Sequence, residues 1–228
     1  MPTADTTHAV LRDERRRLTL EALGRVLSAL GAEVIARHEA GESVLLRLSE
    51  WNSRLRDAIY AANRTTAAAI AERVAADLGT DFDRTVMDAW LLENATITAA
   101  EFNDTTAADL EAATAEPETE DTDPATAVAA AVAAAAGYRL AKLSNGLVST
   151  SAAFGAADAA RATGRSAEIM KEWKVNSANP RASHRRLNGE QVPFDEQFSN
   201  RLRWPGDAKS GDADELANCR CSVVFVIP

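Results

Sequence analysis

The chain reads as mostly α-helical: a helical bundle or long helical hairpin, followed by a small α+β C-terminal module with short strands. Three observations predict this. Apolar residues recur at spacings of three and four through the first half, the period of one helical face. Alanine supplies much of the 46% hydrophobic content and aromatics only 5%, which suits thin helices packed closely. Beyond Gly164, Pro, Gly and Asn punctuate short apolar pieces, and the chain closes on the β-branched run S-V-V-F-V-I-P, a strand pattern. A length of 228 residues allows one large domain or two small ones.

The first helix is marked by Leu20, Leu23, Leu27, Leu30 and Val34 on one face. After a break at Gly41 the stripe resumes with Val44, Leu48, Trp51, Leu55, Ala58 and Ala62, and continues through Ile70, Val74 and Leu78. Gly79 suits the residue just past a helix end, where positive φ is needed. Thr80 and Asp83 then form a capping-box-like start for a helix with Phe82, Val86 and Trp90 on its apolar face. Thr98 and Glu101 give a second capping box ahead of a short helix through about Ala113. The same spacing also suits a coiled coil or an exposed docking face.

Between Glu101 and Asp123 stand nine acids and no basic residue. Such a run repels itself and buries little surface, so its second half reads as a linker or as an acidic tether competing with DNA. Asp123-Pro124 supplies an N-cap followed by Pro at the first helical position. Alanine-rich helices follow, expected to break near Ser144-Asn145-Gly146 or at Gly155. Val148, Ala152, Gly155 and Ala159 put small residues on one face for close helix approach. The organisation is thus a helical region over 1–113, an acidic linker over 114–123, alanine-rich helices over 124–168 and a distinct module over 169–228.

The net charge of −9 is uneven: residues 1–124 carry −12 and residues 125–228 carry +3. Non-specific DNA binding by the whole chain is disfavoured, since phosphate contact relies on basic charge. Arg12, Asp13 and Glu14 interrupt the start before any secretory apolar run. The longest apolar run, Ala125 to Ala136, falls well short of the ~20 residues of a membrane span. The expectation is a soluble cytoplasmic product with no membrane partner.

Cys219 and Cys221 are the only cysteines. Residues i and i+2 of an extended segment lie on one side, so both sulfurs can meet one ion. A disulfide between them would close a very small ring against preferred geometry. Zinc takes Cys and His ligands in fours, and His184 is the one histidine of the module, with Asp195 or Asp207 as a candidate fourth ligand. The alternative is two half-buried thiols packed beside the last strand, with His184 bonded to a backbone carbonyl. No Gly-rich phosphate loop, G-x-S-x-G elbow or H-E-x-x-H is present, so no catalytic residue is assigned.

Lys171 and Trp173, Arg181 and His184, Leu187 and Gly189, and Asn218 through Cys221 spell K-x-W, R-x-x-H, L-x-G and N-C-R-C. That order resembles the C-terminal domain of phage Mu protein F-like minor head (head morphogenesis) proteins, over roughly the last 100 residues. The resemblance implies a minor capsid protein of a tailed phage or prophage, assembled in the host cytoplasm and carried in the virion head. Its partners would be the portal protein and other head proteins, with possible contact to packaged DNA. Some relatives carry further cysteines near the position of His184, which implies zinc for the family; this chain lacks them.

Around these motifs Lys171, Lys174, Arg181, Arg185 and Arg186 form a cationic cluster suited either to solvent or to phosphate contact. Trp173 and Trp204 are expected in the core with their indole N–H groups bonded to backbone acceptors. Pro205-Gly206 and Asn188-Gly189 read as turns, the latter a hairpin between two short strands. Two alternatives to the head-assembly role remain: a zinc-containing nucleic-acid-binding module, and a phage effector enzyme that carries a head-protein domain.

Overall fold

The computed structural model describes residues 4–44, 48–81, 88–115, 123–207, 215 and 219–226. Helices α1 (Ala4–Glu39), α2 (Leu48–Leu78) and α3 (Asp88–Thr114) lead into α4 (Pro124–Ala134), and a π-helical turn at Ala135–Arg139 joins α4 to α5 (Leu140–Ala162). The module that follows holds β1 (Met170–Lys174), the short α6 (Ala182–Leu187), β2 (Gln191–Pro193) and β3 (Ser222–Val226). β1 is the central strand of an antiparallel sheet ordered β2-β1-β3, with Trp173 opposite Val223 and Lys171 opposite Phe225.

The helical stripes pack as a bundle. Leu23, Leu27, Leu30 and Val34 of α1 meet Trp51, Leu55 and Ile59 of α2 in one core, whereas Leu20 is exposed. Antiparallel α2 and α3 are registered by two polar pairs, Asn63 to Asn94 at 3.3 Å and Asn103 to Asn52 at 2.7 Å. A buried amide pair of this kind favours one alignment, since any slip leaves it unsatisfied. Gly41 and Gly79, both at φ +69°, end α1 and α2, and the Thr80 N–H closes on the Ala75 carbonyl at 2.9 Å. Asp123 caps α4 as its sequence implies, its carboxylate accepting from the amides of Ala125 and Thr126.

Two expectations about helix breaks are corrected. Thr98 and Glu101 lie inside an unbroken α3; a capping box starts a helix only where the chain before it cannot be helical, and no Gly or Pro intervenes. The alanine-rich stretch does not break at Ser144-Asn145-Gly146 or at Gly155; its irregularity is the π-helical turn, centred on Gly137. Gly155 sits where α5 crosses α2. A Cβ there would lie 2.9 Å from the Ala67 Cα and closer still to its carbonyl oxygen. The small face therefore sets the α2–α5 spacing. Pro124–Ala162 is, among the described residues, long and apolar enough to cross a membrane by length and composition. Its α5 half, however, is packed in the core from Leu147 through Ala160. Phe82, Asp83, Val86, residues 116–122 of the acidic run and Asn218 lie outside the described residues.

The core crosses from the bundle into the C-terminal module. Ala67, Leu91, Ala153, Phe154 and Ala157 form one cluster with Trp173, Leu187, Phe198, Leu202, Trp204 and both cysteines. Trp90 stacks on Phe154 at 4.1 Å between ring centroids, and Trp204 meets both rings edge-on. Polar ties fasten the same boundary. The Ser149 hydroxyl donates to the Cys219 carbonyl, the Thr150 hydroxyl to that of Gly206, and Arg12 of α1 to that of Cys221.

Candidate metal centre

Three segments converge at His184. α6 carries it inward, with Arg181 as the extended residue before the first turn. Trp173 on β1 walls one side, edge-on to the imidazole at 5.2 Å. Cys219 and Cys221 approach in extended backbone just ahead of β3, and the i, i+2 alternation delivers both sulfurs to the same ring nitrogen. His184 Nδ1 lies 3.4 Å from Cys221 Sγ and 3.8 Å from Cys219 Sγ. All three residues are 2% exposed, and their ligand atoms lie within 4.8 Å of one another. The three candidate ligands named from sequence are therefore brought together.

Those separations can be compared with an ion's demands. Tetrahedral zinc, with bonds of about 2.3 Å to sulfur and about 2.05 Å to nitrogen, sets S···N near 3.6 Å. The observed 3.4 and 3.8 Å bracket that value. The far ring nitrogen, Nε2, meets the Glu215 carboxylate at 2.9 Å. Such a partner holds the N–H on Nε2 and leaves the Nδ1 lone pair facing the sulfurs, the arrangement of histidine ligands backed by a carboxylate. Burial alone would raise the Glu215 pKa, but hydrogen bonds with Ser183, Asn200 and His184 hold it below the ordinary carboxylate value. Glu215 escaped the sequence reading, because nothing in a 31-residue separation signals contact.

The two thiols are unequal. Hydrogen bonding from Cys221 pulls the Cys219 pKa well below that of a free thiol; His184 adds to this, and burial opposes it. The Cys221 pKa is pushed up, first by its bond to the neighbouring sulfur and then by burial, while the Trp173 indole pulls it down. One sulfur thus takes thiolate character readily, as a metal ligand must. The Trp173 N–H meets no conventional acceptor among the described residues, nor does that of Trp204. Both tryptophans are in the core as expected, but among the described residues neither N–H has the backbone acceptor expected for it.

The remaining assignments fare differently. Asp207 is fully buried and chelates Arg203 at 2.8 and 2.9 Å, and Asp195 faces a separate cavity; neither joins the three ligands. The five cations do not share an open surface. Lys171 is 3% exposed because it shares the inward face of β1 with Trp173. Lys174 is paired with Glu172, Arg181 is half-buried, and Arg185 and Arg186 are exposed on α6. Phosphate contact through Lys171 is corrected accordingly. Gly206, at φ +82°, closes the Trp204–Asp207 turn, where the Asp207 N–H donates to the Trp204 carbonyl at 3.2 Å. Asn188-Gly189, with Gly189 at φ +86°, turns from α6 into β2 rather than between two strands.

Thiol, imidazole and carboxylate also line up in the order of a nucleophilic triad. Both sulfurs are buried, and among the described residues neither of the cavities against β3 is lined by any of the three ligands. No protein-family model matches this chain, and neither a curated protein nor a solved structure resembles it significantly.

Proposed function

We propose that this protein is a structural component of phage head assembly, a minor head protein that docks at the portal vertex or inner capsid. In this reading Cys219, Cys221 and His184 hold a zinc ion that pins its C-terminal module. The observation that carries it is the meeting of the motif residues. Trp173, His184, Leu187, Cys219 and Cys221 come from three separated segments, yet all are buried in or against one core. Residues used this way support a rigid fold that presents surfaces to partners, rather than a site that turns over substrate.

Bound zinc would cross-link α6 to the segment before β3 and so supply folding free energy. His184 would ligate through Nδ1 with Glu215 behind it, and Cys219 and Cys221 would ligate as thiolates. The test of the assembly role is co-expression with a portal protein of a tailed phage encoded in the same genome. Co-purification through a sizing column supports the reading; a chain that elutes alone, with a well-folded C-terminal module, refutes it.

A further inference from the structure

Burial alone does not account for the Trp173 indole. The side chain is fully buried, and its N–H meets no nitrogen or oxygen acceptor among the described residues. A buried indole N–H ordinarily finds a partner, because leaving a desolvated donor orphaned is costly.

The strand register identifies what lies beside it. Trp173 pairs with Val223 across β1 and β3, and Lys174 with Ser222. Cys221 stands two residues before Val223, so the alternation of extended backbone puts it on the same face as Trp173. It is the diagonal neighbour of Trp173, at a separation that an aromatic side chain spans. The same indole is edge-on to His184 at 5.2 Å, and His184 Nδ1 lies 3.4 Å from the Cys221 sulfur. None of the three residues is more than 2% exposed. The contact is polar as well as close: hydrogen bonding from Trp173 draws the Cys221 pKa down, against the neighbouring sulfur and burial. Trp204 provides the contrast. It is buried in the same core with an N–H that also lacks a nitrogen or oxygen acceptor, but its ring partners are Trp90 and Phe154.

We propose that Trp173 is a positioning residue of the metal centre: its indole N–H donates to the Cys221 sulfur and holds that thiolate toward the ion. The role presupposes the proposed ligand set of Cys219, Cys221 and His184. A metal-bound thiolate keeps lone pairs that can accept a hydrogen bond. The indole is a donor only, so it supplies that bond without charge and without a competing ligand atom. Partners of this kind orient a ligand and tune its donor strength, as Glu215 does for the imidazole at its other ring nitrogen.

The experiment compares the full-length wild type with Trp173→Phe, which keeps a ring and removes the donor, and with Trp204→Phe as the control for lost core volume. Zinc affinity is read by competition with a chromophoric chelator. The thiolates are read from the sulfur-to-metal charge-transfer absorption of cobalt(II)-loaded protein. Trp173→Phe is expected to weaken zinc by about 10- to 100-fold and to move the charge-transfer band to longer wavelength, because a sulfur relieved of its hydrogen bond gives up electron density more readily. Trp204→Phe should leave the band where it is. If Trp173→Phe does not fold, the wild type decides alone. Loaded with cadmium-113, it should show scalar coupling between the metal and one indole proton of its four tryptophans, carried across the hydrogen bond. A wild type that binds none of these metals overturns the ligand set and this proposal together. A wild type that binds them, with an unmoved band in Trp173→Phe, an equal shift in Trp204→Phe, or no coupled indole proton, overturns the role of Trp173 alone.

Discussion

Replacing Gly155 by alanine tests whether the α2–α5 crossing sets the fold's geometry. The added Cβ would sit 2.8 Å from the Ala67 carbonyl carbon and 2.9 Å from its Cα. Both are backbone atoms in mid-helix, so no side chain can rotate aside and the helices must separate. Overpacking of this kind costs about 1–3 kcal/mol. Alanine returns about 1 kcal/mol of helix propensity over glycine. The net expectation is a loss of up to about 2 kcal/mol, or a melting temperature lower by up to about 8 °C in a chain of this size. Gly146 is the internal control: it lies in the same helix, and a Cβ there meets nothing within 4 Å. Gly146→Ala should therefore stabilise by up to about 1 kcal/mol. Urea denaturation and calorimetry of both variants measure the difference. If Gly155→Ala proves as stable as Gly146→Ala, the close crossing does not exist as described.

Two further outcomes follow from the C-terminal module. Glu215→Ala removes the carboxylate behind His184 and should weaken zinc affinity by about 10- to 100-fold, read by competition with a chromophoric chelator; an unchanged affinity would detach Glu215 from the site. Lys171 titrates near pH 8 when folded, below its unfolded value. Between those two pKa values the unfolded chain binds the extra proton, so stability rises with pH by up to about 1.4 kcal/mol per unit. The difference in unfolding free energy between wild type and Lys171→Met should show this rise between pH 8 and about 10.4, and a flat difference would place the ammonium in solvent.

Much of the bundle is legible from residue spacing, because helical burial repeats every three to four residues and Leu23, Leu27, Leu30 and Val34 obey that period. The Asp123-Pro124 start and the Gly79 stop are equally readable, since each depends on a local backbone requirement. Cys219 and Cys221 were placed on one side by strand alternation, and the same rule held the answer for Lys171. It stands two residues before Trp173 on β1 and so shares its inward face; reading it as part of a cationic cluster overlooked that parity. Glu215 and the Ser149 and Arg12 ties had no such signal. They are contacts across 31, 70 and 209 residues, fixed by how the module lies against α1 and α5 rather than by any local pattern. Thr98-Glu101 misled for a complementary reason: a capping motif is permissive, and tertiary packing of Ala95, Ala99 and Leu110 kept α3 intact.

The central claim is that Cys219, Cys221 and His184 share one ion. Elemental analysis of protein purified without added metal, followed by melting with and without a chelator, tests it most directly. The account predicts close to one zinc per chain, reduced to background in Cys221→Ser, and a lower melting temperature once the metal is stripped. Less than about half an equivalent of zinc, together with unchanged melting in chelator, would contradict it.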